Sequence, residues 1–202
     1  KPAGQKSLAR QLELLKIISK AEPEWIDGYW MVGEASYHLG NSMNNPKDKT
    51  HARALFVRGK EATETCLKKV KDNPLCKMFL AANLGKIASI DGILSSLGQA
   101  STIKQLFTDV VNSKVDYLLS PTTTLQGSVH YALGIFNRLV PDSWIVEKTS
   151  KVRGSITESI QNHSEAMRLN PENLCNPMMT GVALLCSVKG DVKAENGVKG
   201  LA

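Results

Sequence analysis

Four prolines constrain this sequence more than any other feature. Pro23, Pro74, Pro121 and Pro171 stand 51, 47 and 50 residues apart. Each is followed, 10, 11, 13 and 10 residues later, by a glycine inside an apolar stretch: Gly33, Gly85, Gly134 and Gly181. Proline is tolerated in the first turn of a helix, where its missing N–H would be unpaired in any case. Each of the four is therefore expected to close one helix and open the next. A glycine inside a helix costs about 1 kcal/mol against alanine, and the expected return is close approach of a neighbouring helix. A fourfold recurrence of the pair predicts repeated helical units.

Helical spacing fills the intervals. Leu8, Leu12 and Leu15 form one stripe; Ile26, Trp30, Gly33 and Tyr37 a second; Leu55, Gly59, Ala62, Cys66 and Val70 a third. Leu80, Leu84 and Ile87 form a fourth, and Ile103, Phe107, Val110 and Tyr117 a fifth. Leu125, Val129, Leu133 and Phe136 follow, then Ile156, Ile160, His163 and Met167, then Met178, Val182 and Leu185. Residues at i, i+3/i+4 and i+7 line one face of a helix. Period-two alternation with hairpin turns is not evident, so no sheet is expected. The prediction is an all-α fold of about nine or ten helices, paired into hairpins and stacked as a right-handed solenoid. One domain is expected over residues 1–189, with repeats near 7–40, 48–98, 101–140 and 153–189, and a flexible tail at 190–202.

These residues resemble the tetratricopeptide repeat. Its helix A carries an aromatic, then a large apolar residue with Gly, then an aromatic, then Gly; Tyr29, Val32, Gly33, Tyr37 and Gly40 stand in that order. Its helix B ends on a small residue five before a proline, as Ala166 stands before Pro171. Asp116 and Lys69 occupy that place before Pro121 and Pro74, so two repeats depart from the pattern. The standard period is about 34 residues, whereas this chain runs near fifty, the excess lying between the two helices of a unit, as in NSMNNPKDKTHARALF. That layout is similar to two divergent groups: the regulator of microtubule dynamics family and the lipoprotein associated with bacterial TRAP transporters. Gly59, Lys60, Glu61 and Ala62, together with LGIFNRLVPDSW and SITESIQNHSEAMRLNP, carry the likeness. It extends from about Leu8 to Asp191.

The resemblance implies a scaffold that offers the concave face of its solenoid to a protein or peptide. The alternative it implies is an accessory ligand-binding or channel component of a periplasmic transport system, working with a solute-binding protein or a small apolar ligand. The helix-A positions that would face a partner are Asp27, Trp30, Glu34, Tyr37 and His38, then Phe79, Lys86 and Ser89, then Tyr131 and Arg138. Trp, Tyr and Arg are enriched at binding hot spots, although Trp30 and Tyr37 also lie on an apolar stripe and fit a core equally well.

Catalytic and cofactor patterns are not found. His38, His51, His130 and His163 form no HExxH pair, and no GxSxG, GxGxxG or P-loop motif occurs. We expect no enzyme activity, no metal and no cofactor. His163, on its stripe, is expected to be a hydrogen-bonded core residue, and the sequon at Asn162 falls inside a predicted helix. The net charge of +6 could draw an acidic partner, but the cations are dispersed and lack the interleaved aromatics of a single-strand platform, so nucleic acid is not expected. No segment is apolar for long enough to span a bilayer. Cys66, Cys76, Cys175 and Cys186 lack metal spacing. Four free thiols are expected, with Cys66–Cys76 the only local pair able to close. A start at Lys1 rather than Met favours an exported, processed chain over a cytoplasmic one.

Overall fold

The computed structural model of the protein describes residues 3–43 and 45–188. Among them are nine helices: α1 (Ala3–Ala21), α2 (Ile26–Asn41), α3 (Lys49–Lys69), α4 (Pro74–Asp91), α5 (Ile93–Ser113), α6 (Leu125–Leu139), α7 (Trp144–Ser150), α8 (Ile156–Leu169) and α9 (Cys175–Ser187). The expected tail at 190–202 lies outside the described residues. The chain is mostly helical, with one correction. Strands β1 (Leu118–Ser120) and β2 (Thr123–Thr124) pair antiparallel around a turn at Pro121 and Thr122. Pro121 thus tips a small hairpin instead of opening a helix, and Pro23 and Pro171 lie in the turns before α2 and α9, so that of the four only Pro74 stands in the first turn of a helix. The three β-branched threonines that follow it favour extended backbone.

The helix starts have local causes. Asn73 caps α4 by accepting from the Cys76 amide at 3.0 Å, with Pro74 in the first turn. Thr124 caps α6 through the Gly127 amide at 3.0 Å. Ser155 caps α8 through the Glu158 amide at 3.2 Å, with serine and glutamate three apart as in a capping box. Gly92, at φ 95°, ends α4 in a conformation that L side chains rarely adopt.

The chain divides within α5, between Leu106 and Phe107, into two compact units. In the first, Leu12 and Leu15 of α1 pack with Val32, Ala35 and Leu39 of α2 and Leu55 of α3. Ala52 and Phe56 pack with Ile87 of α4. Full burial of a leucine such as Leu12 is worth about 2 kcal/mol. In the second unit the buried positions are Leu125, Val129 and Leu133 of α6, Ser159, His163 and Ala166 of α8, and Asn176, Met179 and Ala183 of α9. The stripe expected on α9 was out of phase by one residue: Met178 is 59% exposed and Met179 is buried.

The same turn geometry occurs in both units at positions 100 residues apart. The Val70 amide donates to the Cys66 carbonyl at 2.8 Å, and the Asn170 amide to that of Ala166 at 2.9 Å. Asn73 donates to Val70, and Asn173 to Asn170, each at 3.2 Å. Across the first turn, Cys66 and Cys76 form a disulfide with Cα atoms 6.2 Å apart. Across the second, the Asn176 side chain donates to the Ala166 and Asn170 carbonyls, both at 2.9 Å. A covalent clasp in one unit is replaced by two buried hydrogen bonds in the other.

The disulfide corrects the expectation of four free thiols. Only residues 70–73 separate α3 from α4, so the last turn of one helix meets the first turn of the next. Cys175 and Cys186 are free and exposed.

The repeated glycines divide into two kinds. A Cβ on Gly33 would sit 2.5 Å from the Thr63 methyl, and one on Gly134 would sit 2.6 Å from the His163 ring. Both mark close helix approach, α2 on α3 and α6 on α8. Among the described residues nothing lies within 4 Å of a Cβ added on Gly85, so the close approach expected there is not found among them.

Candidate functional site

The first unit brings together most of the residues singled out from the sequence. Trp30 is buried and stacks on Phe79 of α4, with ring centroids 6.1 Å apart and planes at 10°. Its indole N–H donates to the exposed Asp27 carboxylate at 2.8 Å. This pair ties α2 to α4 and presents little of Trp30 to a partner. Two turns further along α2, the chemistry becomes polar.

There Tyr37 lies half-buried, its ring 6.4 Å from Phe56 and edge-on to His38 at 5.4 Å. Lys86 Nζ reaches across from α4 and stands 5.7 Å from the Tyr37 ring centroid. A cation over an aromatic face gains about 0.5–2 kcal/mol, more as water is excluded. Glu34, one turn before His38, places its carboxylate 4.0 Å from His38 Nε2.

Loss of water sets the electrostatics of Glu34 and Lys86 in this cluster, while the His38 side chain is 53% exposed. Burial pushes the Glu34 carboxyl up, and pushes His38 and Lys86 down. Burial also raises the Tyr37 phenol, partly offset by a hydrogen bond with the Asn41 side chain. Close ion pairing would shift Glu34, His38 and Lys86 the other way. Lys86 has no carboxylate partner among the described residues. Ser89, next along α4, turns its hydroxyl back to the Gly85 carbonyl at 2.9 Å.

In the second unit, Tyr131 and Arg138 of α6 both stand beside His163 of α8. The Tyr131 and His163 rings meet edge to face at 5.6 Å. His163 is fully buried, and neither ring nitrogen has a hydrogen-bond partner among the described residues. His163 is therefore the core residue expected, but the hydrogen bond expected of it is not found among the described residues. The neighbouring buried donor, the Ser159 hydroxyl, is already used by the Gly134 carbonyl at 2.7 Å. Burial, reinforced by the Arg138 charge, lowers His163 to about 4. Half-buried Arg138 has no hydrogen-bond partner for its Nε among the described residues. His130, one turn from Gly134, shares a 2.9 Å hydrogen bond with Asn162, so the sequon asparagine is engaged inside a helix.

Sequence reasoning missed Asn41 and Asn83. Asn83 is buried between α2 and α4 and donates to the Gly33 carbonyl at 3.1 Å and to that of Phe79 at 2.7 Å. A polar residue amid the apolar run LAANLG was its only outward sign. No group of three metal-ligating side chains lies together among the described residues, and no described helix is long and apolar enough to cross a membrane. No protein-family model matches the chain, and no curated protein matches it significantly.

Proposed function

We propose that this chain is a non-catalytic, tetratricopeptide-like scaffold that receives a protein or peptide partner on the α2–α4 face of its first unit. The observation that carries the reading is Lys86. Its ammonium is half-buried, sits over Tyr37 and lacks a carboxylate partner among the described residues, and dehydrating a charge without a partner is costly. An acidic group on a partner would complete it, with Tyr37, His38 and Glu34 supplying the surrounding contacts. The hairpin turns that recur 100 residues apart support the repeat reading. The polar character of this face supports a scaffold over the apolar channel of a transport accessory. The Cys66–Cys76 disulfide fits an oxidising compartment, in keeping with export.

The test is selection of peptides from a random library on the full-length chain, followed by mapping of the best binder through backbone amide shifts. Perturbations gathered on residues 34–41 and 83–89 support the reading. Perturbations confined to other helices, or a library that yields no binder, overturn it.

A further inference from the structure

Helix α1 carries two apolar faces. One, with Leu8, Leu12 and Leu15, packs against α2 and α3. The other is Leu14, Ile17 and Ile18, exposed at 42, 63 and 40%. Helical spacing puts Leu14, Ile17, Ile18 and Ala21 in one stripe, on the side turned away from the core.

Cations accompany this stripe. Arg10 lies one turn before Leu14 on the same line, Lys6 a further turn back, and Lys20 beside Ile17. All three are exposed, and none has a carboxylate partner among the described residues. The one acidic residue of the helix, Glu13, is already engaged by Lys16 at 3.2 Å and by Arg58 at 3.7 Å. Glu24, just beyond, is held by Lys69 at 2.8 Å. Apart from Glu22, exposed just past the helix and four residues after Ile18, the surface is aliphatic at its centre and positive at its edge.

We infer that α1 is a membrane-surface docking helix, which lays Leu14, Ile17 and Ile18 into the interface of an anionic bilayer while Lys6, Arg10 and Lys20 meet the headgroups. Charge complementarity selects the occupant, since an apolar stripe bordered by unpaired cations matches an anionic lipid surface. A protein partner would call for shape-fitting anchors, and this stripe has no Trp or Tyr. A second copy would bring the same cations face to face. The helix lies on the bilayer and does not cross it, in accord with its four basic residues.

The experiment is co-sedimentation of the full-length chain with vesicles of phosphatidylcholine alone and with about one quarter phosphatidylserine. We expect binding to the anionic vesicles only, weakened severalfold between about 0.1 and 0.5 M salt as the charges are screened. Arg10→Gln should weaken binding about fivefold, and Ile17→Glu should abolish it while leaving the helical circular dichroism and melting temperature unchanged. Ile145→Glu, at an exposed apolar position of α7, should bind as the unaltered chain does. Absence of binding to anionic vesicles overturns the inference. So does equal binding by Ile17→Glu, or a dimer in solution that Ile17→Glu dissociates, which would assign the stripe to a second copy.

Discussion

Acidification should destabilise the second unit through His163. Its imidazole is wedged between α6 and α8 against Gly134, with no hydrogen-bond partner for either nitrogen among the described residues. Burial first, and the Arg138 charge second, lower it from 6.5 to about 4. As pH falls through 6.5 the unfolded chain takes up this proton while the folded chain does not. Stability that is fully present above pH 6.5 is therefore lost progressively as pH falls towards 4. The gap between the two values corresponds to roughly 3 kcal/mol in full, with about 2 kcal/mol already lost at pH 5. Domains are stable by only about 5–15 kcal/mol, so the loss is measurable. Urea midpoints from pH 7.5 to pH 5, on the unaltered chain and on His163→Leu, isolate the effect, because the other titrating groups are common to both. The stability difference between the two proteins should shift by about 2 kcal/mol against the unaltered chain over this range. A difference that stays constant with pH would refute the reasoning, because it would mean that His163 is solvated or hydrogen-bonded in solution.

Three further perturbations test the packing. Gly134→Leu should lower the urea midpoint by an amount equivalent to about 3 kcal/mol, since even a Cβ there falls 2.6 Å from the His163 ring; an unchanged midpoint would place Gly134 away from α8. Gly85→Ala should raise stability by up to about 1 kcal/mol, because the added methyl meets open space and the helix gains propensity; a loss of stability would show a contact at that face. Thiol titration of the denatured, unreduced chain should find two reactive thiols, Cys175 and Cys186. Reduction of the Cys66–Cys76 bridge, which closes a loop of ten residues, should cost about 2–3 kcal/mol; four thiols before reduction would exclude the bridge.

The helices were legible because their stripes are long and regular. Leu12 and Leu15, Leu80 and Leu84, and Leu125, Val129 and Leu133 are all buried as their spacing demands. Pro74 opens a helix, as proline in a first turn can, but Pro171, also preceded by an asparagine, was not legible as a turn residue from that dipeptide. Pro121 was not legible either, because the threonines after it, rather than the proline itself, select the extended backbone. On α9, Met178 and Met179 are equally apolar, so periodicity alone could not set the phase. The glycines looked alike in sequence, yet only contact with α3 and α8 distinguishes Gly33 and Gly134 from Gly85. The disulfide was not legible because spacing alone does not fix where one helix ends and the next begins; the four-residue turn 70–73 sets the last turn of α3 against the first turn of α4 and brings Cys66 to Cys76. The candidate residues were named from a resemblance. That Tyr37 and Lys86 meet across α2 and α4 is a property of packing that no spacing within either helix could reveal. Nor could the sequence show that Asp27 is spent on Trp30.

The most direct test of the proposed function is calorimetric titration of an acidic peptide, selected on the unaltered chain, into that chain and into Lys86→Glu. Removing the cation and placing a carboxylate beside Tyr37 should weaken binding at least about tenfold, with the helical circular dichroism unchanged. Equal affinity for the two proteins would contradict the assignment of the α2–α4 face as the partner site.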